Sequence, residues 1–211
     1  MLTPMSTPRN LLLTRIVGTC LNMITRCLQR FFIGSLLAAA LAAAAAELQT
    51  GGVPHLIFRD VDGQEHSTSN GHVTIITVVT RQNEAKAKAV ADRVPDRCLG
   101  NPKYRYVTLV NFQRKIPGPL QGLTKAIIRK RLTAEANRLR PKYTAKHITH
   151  DPRQDIFVVA DFDGAGVTKL GLSPDSDGLG VFLFNGQGKL IARWSEVPPE
   201  DALAKAVSAA D

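Results

Sequence analysis

The pattern of hydrophobic and polar positions in residues 72–110 predicts a strand, a helix and a second strand. Residues 72–79, HVTIITVV, are apolar and β-branched without strict alternation, which is typical of a strand covered on both faces. Residues 82–94 place apolar side chains at helical spacing, and Pro95 is expected to end that helix. Residues 104–110, YRYVTLV, have the composition of the second strand. The two strands are therefore predicted to be parallel and joined by a right-handed crossover.

A second helix is predicted from about residue 123 to residue 139, after a loop rich in Pro and Gly. Pro141 is expected to end this helix, because an interior proline removes a backbone hydrogen bond. Its predicted apolar stripe consists of Ile128, Leu132, Ala136 and Leu139. Residues 155–160, DIFVVA, then form a strand, and residues 161–172 are expected to be a loop with one helical turn.

Turn residues predict a β-hairpin near each end of the chain. The Asp-Gly pair at 62–63 lies between two extended runs. The sequence NGQG at 185–188 separates the apolar runs 181–184 and 189–194, which predicts an antiparallel hairpin. A final helix follows, opened by Pro199.

The first 46 residues have the composition of a targeting segment. They contain four Arg and no Asp or Glu, and residues 31–46 are uncharged and apolar. This run is shorter than the roughly 20 residues of a spanning helix, so it predicts a secretory signal peptide cleaved after Ala46, with translation starting at Met23. An uncleaved anchor and an organellar transit peptide are the alternatives. Residues 47–211 are then expected to be one domain, periplasmic or secreted after cleavage.

The formal net charge of +9 is unevenly distributed along the chain. Residues 101–150 hold 12 Lys and Arg and a single acidic residue, Glu135, whereas residues 151–211 hold 5 basic and 10 acidic residues. The candidate anion-binding residues of the second helix are Lys125, Arg129, Lys130, Arg131 and Arg138. A basic surface attracts polyanions, and a solvated helix face is the alternative. Nucleic acid is not expected outside the cytoplasm, so the expected partner is a protein or an anionic envelope component. Membrane association is expected only through an uncleaved leader or this helix.

The order of elements and several stretches of sequence resemble the thioredoxin-like fold in its redoxin variant. These stretches are LIFRDVDGQE, HVTIITVVTRQNEAKAKAV, and GLGVFLFNGQGKLIARW followed by VPPEDALAKAV. The stretch TLVNFQRKIPG makes the chain most similar to the YtfJ-type periplasmic family, a degenerate thioredoxin-like group. The resemblance implies an α/β fold with a central mixed sheet flanked by helices and an N-terminal β-hairpin.

The positions that define the redox site of such proteins carry other residues in this chain. The resemblance places Asn83 and Lys86 where thioredoxins have Cys-x-x-Cys, and Leu179 where they have a cis-proline. A thiolate is the nucleophile of that chemistry, and an amide cannot replace it. We therefore expect a non-catalytic binding or accessory module of the cell envelope, without a cofactor. Its docking rim would consist of Thr80, Arg81, Gln82, Asn83, Glu84, Lys86, Leu179 and Gly180.

Cys98 is the single cysteine of residues 47–211, since Cys20 and Cys27 belong to the predicted leader. It lies beyond the C-terminal end of the first helix, away from the fold's active face, and two neighbouring arginines could lower the pKa of its thiol. An inert packed thiol is the preferred interpretation. The alternative function is a thiol-dependent oxidoreductase or peroxidase that uses Cys98 with a partner thiol. Whether the protein is an enzyme depends on this alternative.

Histidines and aspartates support a weaker hypothesis of metal binding. His147, His150 and Asp151 have the spacing of a minimal chelating group, with solvated loop histidines as the alternative. The Asp-rich segments 161–163 and 175–177 are assigned to turns, because neither has the length or terminal Glu of a calcium loop.

Overall fold

The computed structural model describes residues 48–113 and 116–211. The predicted leader, its cleavage site and the predicted start at Met23 lie outside the described residues. Residues 45–211 form one compact unit. The β-sheet and the core clusters described below are complete within this unit, so we expect it to fold on its own.

The N-terminal hairpin pairs β1 (Ile57–Arg59) with β2 (Glu65–Ser67) in antiparallel register. Its turn is held by Asp60, whose Oδ1 accepts two backbone N–H groups of the turn, each at 2.9 Å. Gly63 has a φ of 89°, a left-handed conformation that glycine adopts without steric cost. The predicted Asp-Gly hairpin is therefore confirmed.

The predicted strand–helix–strand unit consists of β3 (Val73–Val79), α1 (Glu84–Asp92) and β4 (Tyr104–Asn111). Strands β3 and β4 are parallel over their whole length, as predicted. The first six residues of β3 are buried, which explains why its sequence does not alternate between apolar and polar side chains.

The long helix α2 (Gly118–Ala145) extends beyond both of its predicted ends. Its first turn contains Pro119, which is tolerated where backbone N–H groups have no helical partner. The prediction that Pro141 ends the helix is wrong, since one further turn follows it. In that turn Tyr143 is buried, and its hydroxyl donates a hydrogen bond to Asp155 at 2.6 Å. An interior proline costs about 3 kcal/mol, a loss that burying this ring offsets.

Residues 156–211 supply the remaining strands and helices. These are β5 (Phe157–Asp161), α3 (Ala165–Lys169), β6 (Gly180–Phe184), β7 (Leu190–Trp194) and α4 (Glu200–Ala210). Strands β6 and β7 form the predicted antiparallel hairpin across the turn at 185–188.

The five-stranded sheet has the order β5-β4-β3-β6-β7. The first three strands are parallel, and β6 and β7 are antiparallel to their neighbours. A mixed sheet of this order, flanked by helices and preceded by a β-hairpin, is the thioredoxin-like fold. The predicted fold class is therefore confirmed.

Two large apolar clusters lie on opposite faces of the sheet, because successive side chains of a strand point to opposite faces. One contains Ile76 and joins the sheet to the N-terminal hairpin and α3. The other contains Ile75 and joins it to α1 and α4. A third, smaller cluster, formed around Leu132, fixes α2 against β5. The parallel strands are therefore packed on both faces of the sheet.

Candidate functional site at the carboxyl ends of the parallel strands

Strands β3 and β4 are neighbours, so their carboxyl ends lie side by side at one edge of the sheet. In open α/β sheets, ligands bind outside the carboxyl ends of parallel strands. In this chain a polar connection from β3 to α1 and the last residue of β4, Asn111, lie at that edge. Residues 173–178, here called the closing segment, form hydrogen bonds with both.

Asn83, at the position matched to the reactive cysteine, is a buried structural residue. It is 3% exposed. Its Oδ1 accepts the backbone N–H of Thr80 at 2.8 Å. Its Nδ2 donates towards the carbonyl oxygens of Gly178 at 3.1 Å and Asp177 at 3.3 Å, with a longer contact of 3.5 Å to that of Val78. Its donor and acceptor groups are therefore committed to joining the N-terminal end of α1 to the closing segment.

A second buried asparagine holds the same segment from the adjacent strand. Asn111 is 4% exposed, and its Nδ2 donates to the carbonyl oxygen of Pro174 at 2.7 Å. Its Oδ1 accepts the backbone N–H of Gln113, whose Nε2 in turn donates to Asp177 Oδ1 at 2.5 Å. The closing segment is thus held at three of its residues over the ends of β3 and β4.

The predicted docking rim is only partly on the surface. Four of its residues are buried: Thr80, Asn83, Leu179 and Gly180. The other four are exposed: Arg81, Gln82, Glu84 and Lys86. The eight residues therefore do not all lie on the surface, and only the exposed four remain candidates for docking.

Two rim positions show how tightly this edge is packed. A Cβ atom on Gly180 would lie 2.8 Å from the Leu172 side chain and 3.0 Å from that of Phe182. The hydroxyl oxygen of Thr80 is buried without a hydrogen-bond partner in the described part of the chain. Leu179 occupies the position matched to the cis-proline, and no peptide bond of the described residues is cis. The edge is consequently filled by protein.

Lys86, which the resemblance places at the second cysteine position, forms an exposed ion pair with Glu196 at 2.7 Å. Both side chains are more than half exposed, so this pair contributes little to stability. The pair places one positive side chain, Lys86, and one negative side chain, Glu196, at the N-terminal half of α1.

Cys98 lies in a short 3₁₀ helix, Asp96–Cys98, between α1 and β4. It is half-buried and packs against the cluster between the sheet, α1 and α4. Burial raises the pKa of its thiol to about 11, and the Arg97 guanidinium opposes this only partly. The expectation that neighbouring arginines lower the pKa of this thiol is therefore wrong in its net direction. Of the two neighbouring arginines, Arg97 is the one that lowers the pKa of this thiol, while the Arg93 guanidinium donates to the Pro198 carbonyl oxygen at 2.6 Å.

The residues of the metal hypothesis do not form a chelating group. His150 Nε2 lies 2.6 Å from Asp155 Oδ2, and Asp151 pairs with Arg140 at 3.3 Å. His147 is exposed in a left-handed backbone conformation. Within residues 48–113 and 116–211, no three His, Cys, Asp or Glu side chains are placed to hold a metal ion.

The two Asp-rich segments serve as turns, in line with their assignment from the sequence. Asp161 is buried, and its Oδ2 accepts the backbone N–H of Val167 at 2.8 Å. Asp163 Oδ1 accepts the N–H of Ala165 at 3.1 Å. Asp177 belongs to the closing segment.

The candidate anion-binding residues of α2 differ in how far they are already paired. Arg129 binds Asp62 at 3.0 Å and the carbonyl oxygen of Val61, so it fixes α2 to the N-terminal hairpin. Lys125 lies over the ring of Phe162, with 5.8 Å from Nζ to the centroid. Arg138 is 3.5 Å from Glu135 on the same helix.

Lys130 and Arg131, in contrast, are exposed. Neither has a side-chain hydrogen bond or an ion pair among the described residues. These two side chains are therefore the available cations of the set.

Sequence reasoning missed three buried polar contacts. Asn111 was noted only as part of a resembling stretch, although an asparagine ending a buried strand must find hydrogen-bond partners. Asp60 and His66, each 5% exposed, lie 2.8 Å apart. Tyr143 and His150 both contact Asp155 Oδ2. The contacts from Asn111 to Pro174 and from Tyr143 to Asp155 join residues 63 and 12 positions apart. Those of His66 and His150 are closer in sequence, but the pattern of apolar and polar positions does not reveal them.

No protein-family model matches the chain, and no curated protein matches it. Solved structures are similar to it at low identity. The pneumococcal exposed lipoprotein thioredoxin of Streptococcus pneumoniae is 15% identical, with 74% of this chain and 98% of that chain covered and a TM-score of 0.44. A peroxiredoxin-like protein of Aquifex aeolicus is 14% identical, with 80% and 91% covered and a TM-score of 0.47. The thioredoxin domain of a thiol-disulfide oxidoreductase of Bacteroides vulgatus is 12% identical, with 78% and 100% covered and a TM-score of 0.46.

The fold assignment rests on the strand order and pairing of this chain. Among the described residues, none of the helices has both the length and the apolar composition needed to span a bilayer.

Proposed function

We propose that the protein is an exported thioredoxin-fold module of the cell envelope that binds a partner and has no thiol chemistry, as in a degenerate group of the YtfJ type. The observation that carries this proposal is the buried Asn83 at the nucleophile position. Thiol exchange requires a thiolate that can reach its substrate. An amide whose hydrogen-bonding groups are used within the fold offers neither a nucleophile nor access.

The state of Cys98 also supports a non-catalytic role. At neutral pH a thiol with a pKa of about 11 is ionised in only about one molecule in ten thousand. A cysteine with the ordinary thiol pKa of 9.0 is ionised about a hundred times more often. The alternative, an oxidoreductase or peroxidase that uses Cys98 with a partner thiol, therefore requires a conformational change that exposes this side chain.

The binding surface of the proposed module has two parts. One is the exposed half of the rim, where Arg81, Gln82 and Glu84 lie beside the closing segment. The other is the outward side of α2, with its available cations Lys130 and Arg131. The buried half of the rim does not contact the partner but makes the first surface rigid.

The deciding experiment measures turnover of a disulfide substrate and of hydrogen peroxide by residues 47–211, beside a Cys98→Ser variant. An ordinary thioredoxin and a peroxiredoxin serve as positive controls. We expect neither version to exceed the rate without protein. Alkylation of Cys98 by iodoacetamide gives a second readout, and its rate should be far below that of a free thiol at pH 7 and rise steeply above pH 10.

Turnover by the wild type that is lost in Cys98→Ser would overturn the proposal and make Cys98 the catalytic residue. Turnover that survives this substitution would contradict both functions, because no other cysteine is present in residues 47–211.

A further inference from the structure

The outward side of α2 combines exposed apolar residues with available cations. The inward side packs through Leu132, Ala136 and Tyr143. On the opposite side, Leu120 is 52% exposed and Ile127 is 50% exposed, with Leu123 between them at 60%. These three residues fall on one helix face, because their spacing of three and four matches the helical repeat.

The cations lie directly beside this apolar stripe. At 100° per residue, Lys130 falls on one flank of Ile127 and Arg131 on the other. Lys142 continues the basic character towards the C-terminal end of the helix. Glu135 is the single acidic residue of α2, and it already lies against Arg138. The outward side therefore has a positive field that this helix does not neutralise.

We propose that the outward side of α2 binds the surface of an anionic lipid bilayer. Leu120, Leu123 and Ile127 lie at the boundary between headgroups and acyl chains, while Lys130 and Arg131 reach back to lipid phosphates. This inference deepens the proposed function by naming the class of partner, and it rests on that proposal for the location of the protein in the envelope.

Two features favour a bilayer over an acidic protein groove. A helix that binds in a partner's groove inserts its apolar face into a cleft, so the walls of the cleft need room on both flanks of that face. The inward side of α2 is already packed against its own domain, so only one convex side is available. Helices that lie on a membrane surface need only one side, with apolar residues flanked by Lys and Arg whose long side chains bend towards the headgroups.

The experiment measures co-sedimentation of residues 47–211 with vesicles of phosphatidylglycerol and phosphatidylethanolamine, and with neutral phosphatidylcholine vesicles. The leader is left out because its apolar run would itself bind lipid. The apolar variant carries Leu123→Ser and Ile127→Ser, and the charge variant carries Lys130→Gln and Arg131→Gln. The matched control carries Lys88→Gln and Lys205→Gln, which removes two exposed cations from α1 and α4. Circular dichroism checks the fold of each variant.

The wild type should bind anionic vesicles and lose affinity as salt is added. Each α2 variant should bind about tenfold less tightly, and the control should stay within about twofold of the wild type. Absence of binding to anionic vesicles overturns the proposal. Equal losses in the control and the charge variant also overturn it, because they would show attraction by net charge alone.

Binding to polyglutamate but not to vesicles would replace the bilayer with an acidic protein. None of these outcomes bears on catalysis, so a failure here leaves the turnover result standing, and turnover by Cys98 would leave vesicle binding intact.

Discussion

At the scale of single residues, the candidate site illustrates how one buried side chain can join two segments of the fold. Asn83 supplies one acceptor to Thr80 and donors to carbonyl oxygens of the closing segment. A cysteine at this position could not make these bonds, since a thiol is a weak donor and acceptor. The edge of the sheet is therefore organised around an amide, and we expect its stability to depend on that amide.

Substitution of Asn83 tests this dependence. Asn83→Ala leaves the Thr80 N–H and the carbonyl oxygens of the closing segment without partners, at about 1–3 kcal/mol for each buried group left unpaired. Asn83→Asp keeps the shape but directs a carboxylate at carbonyl oxygens, so at pH 7.5 it should destabilise the protein more than alanine does. Those oxygens disfavour the charged form and raise the pKa of the new carboxyl group above its unfolded value. Its penalty should therefore shrink as pH falls through that raised pKa.

Urea unfolding of both variants and the wild type at pH 7.5 and pH 5 measures these effects. An aspartate variant as stable as the wild type at pH 7.5 would show that the hydrogen bonds of Asn83 contribute little.

At the scale of elements, the sequence predicts which face of α2 is buried but not where α2 ends. Its apolar spacing is local information, and Leu132 and Ala136 are buried as predicted. The position of its C-terminal end is not determined by neighbouring residues alone. The turn after Pro141 depends on the hydrogen bond from Tyr143 to Asp155, which lies in another element. A rule based on proline alone cannot include that contact. The two hairpins were predictable because their strands are joined by short turns in the sequence. The parallel pair was predictable because a strand, a helix and a second strand form a right-handed crossover.

Two substitutions of Tyr143 test what holds this last turn. Tyr143→Phe keeps the ring and loses the hydrogen bond to Asp155, which should cost about 1 kcal/mol. Tyr143→Ala also empties a buried site and should cost about 3–5 kcal/mol. Hydrogen exchange of the turn at 142–145 should accelerate strongly in the alanine variant and slightly in the phenylalanine variant. Equal exchange in all three proteins would show that Tyr143 does not hold the turn.

The same tyrosine predicts a pH dependence. Burial, together with the hydrogen bond to Asp155, raises the pKa of the Tyr143 phenol above its ordinary value of 10.0. The unfolded phenol therefore ionises first, and the stability that the wild type gains from this group is lost as pH rises above about 10. Tyr143→Phe should lose less stability between pH 9 and pH 11.

At the scale of the whole molecule, the sequence predicted the fold but not how the closing segment is held over the ends of β3 and β4. The closing segment contains Pro174 and Asp177, typical turn residues whose partners, Asn83 and Asn111, are more than 60 positions away in the chain. The predicted rim lies at the edge that this segment contacts, and half of its residues are buried. Seven of the 12 Lys and Arg in residues 101–150 belong to α2, as the sequence and the bounds of this helix show.

The arrangement of the core predicts how the whole unit unfolds. Both large clusters include residues of β3, β4, β6 and β7, so neither sheet face can lose its packing without disturbing the other. Trp194, the single tryptophan, reports on the cluster beside α1 and α4. Far-UV circular dichroism reports largely on α2, which packs through Leu132 against β5.

We expect the two signals from residues 47–211 to follow one urea transition, and Leu132→Ala to shift both curves together. An earlier loss of ellipticity in that variant, with unchanged Trp194 fluorescence, would show instead that α2 unfolds independently. An independently unfolding α2 would place the proposed lipid-binding surface on a mobile element rather than on the rigid body of the domain.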